Sequence, residues 1–243
     1  MSVQQSKQPV ALITGGAKRI GKALALHLSK QGYTIALHCF SSKKEAAATA
    51  NAILKQGGDC GLFYCNLADM PSAQTLIKTV IQTFGRLDVL INNASVFKAG
   101  CLKNSPVSVL EQSYAIHLRA PYILMQDFAQ SQKHGKIINI LDSKISQTTP
   151  THVPYLLMKK SLKDLTLMAA AELAPNFRVN GICPGPILAP EGKGQPYLKK
   201  IGKTVPLEKH GTVKDLCAAV DFLLQADYVT GQMLFEDGGA HLR

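Results

Sequence analysis

The chain contains no tryptophan, and phenylalanine and tyrosine together make up only 6% of it. Its core must therefore be packed by aliphatic side chains, which fits a hydrophobic content of 46%. No apolar run approaches the roughly 20 residues a membrane-spanning helix needs. The N-terminus, M-S-V-Q-Q-S-K-Q-P, lacks the apolar segment of a signal peptide. Both absences predict a cytoplasmic protein with no membrane partner. The six cysteines (Cys39, Cys60, Cys65, Cys101, Cys183 and Cys217) form no C-x-x-C pair. That distribution supports neither a disulfide framework nor a metal site, and predicts reduced core thiols. No linker, repeat or low-complexity segment interrupts the chain, so residues 1–243 read as one domain.

Acidic residues are also scarce: 16 Asp and Glu stand against 27 Lys and Arg, for a formal charge of +11. The densest lysine pairs (Lys43-Lys44, Lys159-Lys160 and Lys199-Lys200) are far apart in sequence, and no nucleic-acid motif accompanies them. The expectation is a basic surface that attracts anionic small molecules, with no nucleic-acid partner.

What is present is an alternation of short apolar runs and helical patterns. Val10–Ile13 reads as a strand buried on both faces. T-G-G-A-K-R-I-G follows at Thr14–Gly21, and then helical spacing at Ile20, Leu24 and Leu28. Strand, glycine turn and helix form the context of a dinucleotide phosphate loop, in which backbone N–H groups approach the pyrophosphate. An ordinary strand–helix turn is the plainer alternative. Thr34–Cys39 is a second strand. NAD binders usually end it with an acid that holds the ribose 2′-hydroxyl. Here it ends in His38, Cys39, Phe40, Ser41, Ser42, Lys43 and Lys44. Hydroxyls and cations there, with Lys18 and Arg19, suit a 2′-phosphate and predict NADPH. For at least one of Lys43 and Lys44, simply opening the next helix in solvent is the plainer role.

Helical pattern runs over 43–56, and a third strand over 61–64 leads to Asn66 and Leu67. Asp69 or Ser72 caps a helix that runs to about Phe84. A fourth strand, Leu87–Ile91, ends in N-N-A-S at Asn92–Ser95. One helix is expected from about Ser105 to Phe128, then a fifth strand over Lys136–Leu141. The next helix covers about Pro154 to Leu173, and a sixth strand, Arg178–Ile182, ends in C-P-G-P-I. Residues 188–204 lose periodicity and read as a mobile substrate lid. A helix over Lys214–Gln225 and a last strand, Gln232–Phe235, lead to D-G-G-A-H-L-R. Seven strands alternating with helices predict a doubly wound, Rossmann-type α/β domain with a seven-stranded parallel sheet. Its ligands belong at the carboxyl ends of the strands. The glycine loop, Ser41, Ser42, Asn66, Asn93, Asp142, Pro184 and Gly185 should gather there. Just after the fifth strand, Asp142 precedes Tyr155 and Lys159, which share one face of a helix. An acid, a phenol and an amine can meet there.

This set, in this order, resembles the short-chain dehydrogenase/reductase family over almost the whole chain. The markers are T-G-x-x-x-x-I-G at Thr14–Gly21, N-N-A at Asn92–Ala94 and Y-x-x-x-K at Tyr155–Lys159. R-V-N at Arg178–Asn180, P-G at Pro184-Gly185 and D-G-G at Asp237–Gly239 complete them. Three departures look like the pteridine reductase branch: K-R-x-G at Lys18–Gly21, N-A-S-x-aromatic at Asn93–Phe97, and Asp142 where the family usually has Ser. The I-H-L-R-A-P-Y-I-L run at Ile116–Leu124 and the ending G-G-A-H-L-R are similar to bacterial members that reduce dihydromonapterin.

The resemblance implies NADPH-dependent reduction of a dihydropterin to its tetrahydro form, with dihydromonapterin, dihydrobiopterin and dihydrofolate as candidates. It makes Asp142, Tyr155 and Lys159 catalytic: Tyr155 the acid, Lys159 the cation that favours its phenolate, Asp142 its hydrogen-bond partner. Around the cofactor it places Gly15, Lys18, Arg19, Ile20, Ser41, Ser42, Asn66, Leu67, Asn93, Ala94, Ser95, Pro184, Gly185 and Ile187 with Tyr155 and Lys159. Around the substrate it places Arg19, Ser95, Phe97, Asp142 and Tyr155, with Phe97 stacked on the pterin. The donor of the pterin N5 proton stays open between Tyr155 and a water held by Arg19. The family also implies a homotetramer. His117 stands where most members have an Asn of a proton relay, and either a relay or a buried core role fits it. Arg243 either reaches a neighbouring subunit or frays. Two alternatives remain: a 3-oxoacyl-carrier-protein reductase, and a catalytically silent nucleotide-binding sensor.

Overall fold

Consecutive side chains of β1 (Val10–Ile13) point to opposite sides of the sheet, and all four are fully buried. Such a strand must have helices on both faces. Ala11 and Ile13 pack under α1 (Arg19–Lys30), α2 (Lys43–Lys55) and α8 (Val213–Gln225), through Leu24, Leu28, Ile53, Leu216 and Val220. Val10 and Leu12 pack toward α3 (Met70–Phe84) and α5 (Ala120–Ser131), through Leu76, Ile77, Leu124 and Phe128. Each fully buried aliphatic side chain of this kind contributes about 1.5–3 kcal/mol. The computed structural model describes residues 6–190 and 192–243. The start of the polar N-terminus and residue 191 of the expected lid lie outside the described residues.

The sheet also contains β2 (Thr34–Cys39), β3 (Cys60–Tyr64), β4 (Val89–Asn92), β5 (Gly135–Ile140), β6 (Phe177–Pro184) and β7 (Met233–Glu236). It is parallel throughout, in the order β3-β2-β1-β4-β5-β6-β7. The predicted fold class therefore holds. Strand order reverses between β1 and β4, which opens a crevice at their carboxyl ends. The predicted bounds of β1 and β2 coincide with these, and those of the other strands differ by one or two residues.

Two expectations need correction. The helix expected from 105 to 128 forms as one continuous helical stretch over 107–131, but it is not regular: α4 (Val107–Tyr114) widens into a π-helical turn at Ala115–Arg119 before α5. Apolar spacing does not reveal one inserted residue. The expected lid, 188–204, contains a regular helix, α7 (Gln195–Gly202), whose buried residues are only Leu198 and Gly202. Two buried positions are too few to show a helical period in the sequence.

The R-V-N marker serves the scaffold. Arg178 donates to the carbonyls of Leu223 and Leu224 at the end of α8, at 2.7 and 3.0 Å, and so caps a helix C-terminus with a cation. The Asn180 amide donates to the Val229 carbonyl at 3.0 Å and accepts from Gln232 N–H at 2.9 Å. All six cysteines are free thiols, and Cys39, Cys183 and Cys217 are buried. Burial pushes the thiols of Cys60 and Cys183 up to about 12. No helix among the described residues is long and apolar enough to cross a membrane.

Candidate active site

The glycine loop after β1 is held from three sides. Gly15 adopts φ +63, and its N–H donates to His38 Nδ1 at 3.2 Å. An amide N–H can only donate, so the His38 proton sits on Nε2, which donates to the Cys65 carbonyl at 3.1 Å. Burial lowers the His38 pKa to about 4, so the ring is neutral. His38 thus ties β1, β2 and β3 together beneath the loop. Asn93 braces it from β4: its amide donates to the carbonyls of Thr14 and Gly15 at 2.8 and 3.2 Å. Thr14 Oγ1 accepts from the N–H groups of Asn93 and Ala94. The Asn93 amide hydrogens are directed at the loop itself.

The N-terminus of α1 enters this loop. A Cβ on Gly21 would lie 2.2 Å from the Gly15 carbonyl oxygen and 2.7 Å from Asn93 Nδ2, so only glycine permits the approach. No acid stands in the first turn of α1. At the end of β2, Ser41, Lys43 and Lys44 are exposed, and Ser42 is the residue before α2. Lys43 leans over the Tyr64 ring, 5.5 Å from its centroid. A helix N-terminus on a glycine cradle, without a β2 carboxylate but with nearby cations, fits a dinucleotide carrying a 2′-phosphate. Asn66 closes its own turn, accepting from Ala68 N–H at 3.0 Å, and Leu67 and Ile187 are buried. Ile20 packs on the core. Gly185 lets the end of β6 approach Asp237, whose Cα would be 2.6 Å from an added Cβ.

Beside that cradle stand the acid, phenol and amine. Asp142 follows β5 in extended conformation and starts a 3-10 turn, Ser143–Ser146. Its Oδ1 accepts from Lys144 N–H at 2.8 Å, which leaves Oδ2 to accept from the Tyr155 hydroxyl at 2.9 Å. Tyr155 and Lys159 lie one turn apart on α6 (Val153–Leu173), both buried. Lys159 Nζ donates to the Ile140 carbonyl at 2.6 Å and lies 5.9 Å from the Tyr155 ring centroid. Burial lowers its pKa to about 8, against the pull of Asp142. Burial, and then the Asp142 carboxylate, hold the Tyr155 phenol well above its ordinary 10. The expected dominance of Lys159 over the phenol is thus reversed: the carboxylate is in direct contact and the ammonium is not. Tyr155 is a neutral phenol, which makes it a proton donor.

Phe97 is 56% exposed and turns its ring at 90° to Tyr155, with centroids 4.9 Å apart. His152 lies almost parallel to Phe97, with centroids 4.3 Å apart and planes 13° apart. Phe97, Asp142, Tyr155 and Lys159 therefore come together, and Ser95 joins them through buried His117, whose Nε2 is 3.1 Å from Ser95 Oγ. Arg19, at φ +55, is directed elsewhere: its guanidinium donates to the Ala189 carbonyl at 3.0 Å. Arg243 folds back onto its own chain. It donates to the Thr204 carbonyl at 2.6 Å, and Gln147 Nε2 donates to the Ala240 and Arg243 carbonyls at 2.8 and 2.9 Å.

Sequence reading missed His38, His152 and Gln147. His152 lies three positions before Tyr155 in a polar loop, and its left-handed backbone (φ +56) leaves no mark in the sequence. For His38 a signal existed: a histidine inside an apolar strand must find partners for both ring nitrogens.

A family model described as "Enoyl-(Acyl carrier protein) reductase" matches residues 15–241. The 3-oxoacyl-[acyl-carrier-protein] reductase of Staphylococcus aureus is 30% identical over 240 residues, covering 96% of this chain and 98% of that protein. The crystal structure of FolM alternative dihydrofolate reductase 1 from Brucella suis, in complex with NADP, superposes with a TM-score of 0.92. It is 32% identical and covers 98% of this chain and 96% of that one. A blue fluorescent protein from a metagenomic library, in complex with NADPH, gives a TM-score of 0.88 at 29% identity. That match covers 95% of this chain and 97% of the other.

Proposed function

The chain belongs to the short-chain dehydrogenase/reductase family of oxidoreductases, and within it we propose that it reduces a dihydropterin, such as dihydromonapterin, dihydrobiopterin or dihydrofolate, with NADPH. The observation that carries this reading is the Tyr155–Asp142 hydrogen bond beside exposed Phe97. A carboxylate there suits a basic ring nitrogen that must receive a proton, whereas a ketone is better served by a neutral hydroxyl. Similarity to the Brucella protein supports the same substrate class.

NADPH, when bound, supplies the hydride. The glycine cradle and the N-terminus of α1 would hold its pyrophosphate, and Ser41, Ser42, Lys43 and Lys44 its 2′-phosphate. Tyr155 keeps the proton at its hydroxyl, and Asp142 orients that hydroxyl. Lys159 places a buried positive charge near the phenol, which stabilises the phenolate as the proton leaves for the pterin N5. Tyr155 is favoured over a water on Arg19 because Tyr155 stands directly against Phe97, whereas the Arg19 guanidinium donates to Ala189. Phe97 offers a face for a planar ring.

A second reading, a 3-oxoacyl-carrier-protein reductase, is supported by the identity to the Staphylococcus protein. The test is NADPH oxidation measured side by side with dihydromonapterin or dihydrobiopterin and with an acetoacetyl thioester. Faster turnover of the pterins is expected; the opposite ranking overturns the proposal. No turnover with either substrate favours a nucleotide-binding sensor. Cofactor preference is tested separately, since equal Michaelis constants for NADH and NADPH contradict the 2′-phosphate site. We also propose a cytoplasmic location and a homotetrameric assembly, the latter supported by the exposed apolar residues Val107 and Leu110 on α4 and Leu157 and Met168 on α6. Sedimentation measures that state.

A further inference from the structure

The π-helical turn at Ala115–Arg119 carries His117 into the interior, where it is only 1% exposed. Such turns insert one residue into a helix and re-aim the side chains they carry. His117 Nε2 receives the Val96 N–H at 3.1 Å and stands 3.1 Å from Ser95 Oγ. The Val96 N–H can only donate, so Nε2 is an acceptor and the ring proton resides on Nδ1. Nδ1 is buried without a hydrogen bond of good geometry. Burial, and then the Lys159 ammonium, lower the His117 pKa to about 2, with the Ser113 backbone pulling the other way. The ring also stands edge-on to Tyr155, with centroids 5.1 Å apart and planes at 89°. Val96 is the residue before Phe97.

We propose that His117 is a positioning residue: a neutral imidazole whose Nε2 holds the Val96 amide and thereby sets where Phe97 stands against Tyr155. It carries no proton to the substrate, because the nitrogen that faces this loop already accepts a hydrogen bond. A planar substrate ring would then be placed by a chain of contacts running from His117 through Val96 to Phe97. The proposal rests on the pterin reading only for the identity of that ring.

The test compares His117→Gln, whose Oε1 can stand where Nε2 stands, with His117→Phe, which keeps a ring but no acceptor. His117→Asn places its oxygen nearer the Nδ1 position. Amide hydrogen exchange at Val96 in the NADPH-bound enzyme is expected to quicken about tenfold in the Phe variant and to stay near wild type in the Gln variant. The Asn variant should resemble Phe, and the Gln–Asn pair decides the matter where Phe does not fold. With dihydromonapterin, KM should rise about tenfold in the Phe variant, with kcat within about threefold, an unchanged pH profile and recovery in Gln. Equal Val96 exchange in all variants overturns the proposal. So does a collapse of kcat at constant KM, or the loss of an ionisation from the pH profile, either of which makes His117 a proton carrier. Absence of pterin turnover in the wild type sinks the substrate reading instead, and the exchange measurement still decides His117.

Discussion

Tyr155 gives its hydroxyl hydrogen to Asp142 at 2.9 Å, while Lys159, one turn along the same helix, gives its own to the Ile140 carbonyl. The phenol therefore faces two opposite charges at unequal range. Contact with the carboxylate in a buried site outweighs the more distant ammonium, and the phenol stays protonated.

Removing the hydroxyl separates chemistry from binding. Tyr155→Phe should lower kcat by about 10²- to 10⁴-fold and leave the NADPH dissociation constant nearly unchanged. Steady-state kinetics and fluorescence titration measure the two effects. Asp142→Asn keeps the shape but removes the charge, so ultraviolet titration should show the Tyr155 pKa falling. A Tyr155 pKa that does not move would show that burial alone sets it.

The alkaline limb of activity should report Lys159. Its ammonium loses its proton as pH rises through about 8, so kcat/KM should decline above that pH. The decline should disappear in Lys159→Arg, whatever activity that variant retains, because a guanidinium does not titrate there. An unchanged alkaline limb in Lys159→Arg assigns it to another group.

Acid should loosen the glycine loop through His38. Its pKa is lowered from 6.5 in the unfolded chain to about 4 in the folded one. Between those values the unfolded state binds more protons, so stability is full above pH 6.5 and is lost as pH falls toward 4. The loss amounts to about 3 kcal/mol when complete. His38→Asn keeps an acceptor for Gly15 N–H without titrating. Its melting temperature should fall less steeply across this pH window than that of the wild type, and parallel curves would exclude His38 as the cause.

The C-terminus should steady the segment before α8. Arg243→Ala removes the bond to Thr204, an exposed contact that contributes about 1 kcal/mol or less. Limited proteolysis within 188–204 should quicken and the substrate KM should rise severalfold, with the melting temperature little changed. A variant with wild-type proteolysis and KM would mean that this contact holds nothing.

Much of the site was legible because helical and strand periods are written in residue types. Tyr155 and Lys159 are one turn apart in any α-helix, and Asp142 follows a short apolar run, bounded by Gly135, whose length suits a strand. Asn93 was legible as a polar residue at a strand end. That its amide points back at Thr14 and Gly15 was not, because this depends on how closely β4 lies against β1. The helix at Gln195–Gly202 was missed because only Leu198 and Gly202 reach the core.

The order of apolar runs and glycine turns by itself determined the parallel sheet, the cradle and the edge at which the site lies. The lack of an acid after β2 was equally plain without coordinates. The Asp142–Tyr155 bond was expected from the family resemblance, but tertiary structure alone decided that Val96 bonds to His117 and Gly15 to His38. Those bonds join segments 13 to 23 positions apart. Spacing along the chain selects a face, but a hydrogen bond needs its donor and acceptor within about 3 Å and in line, and only the packing of whole elements sets that.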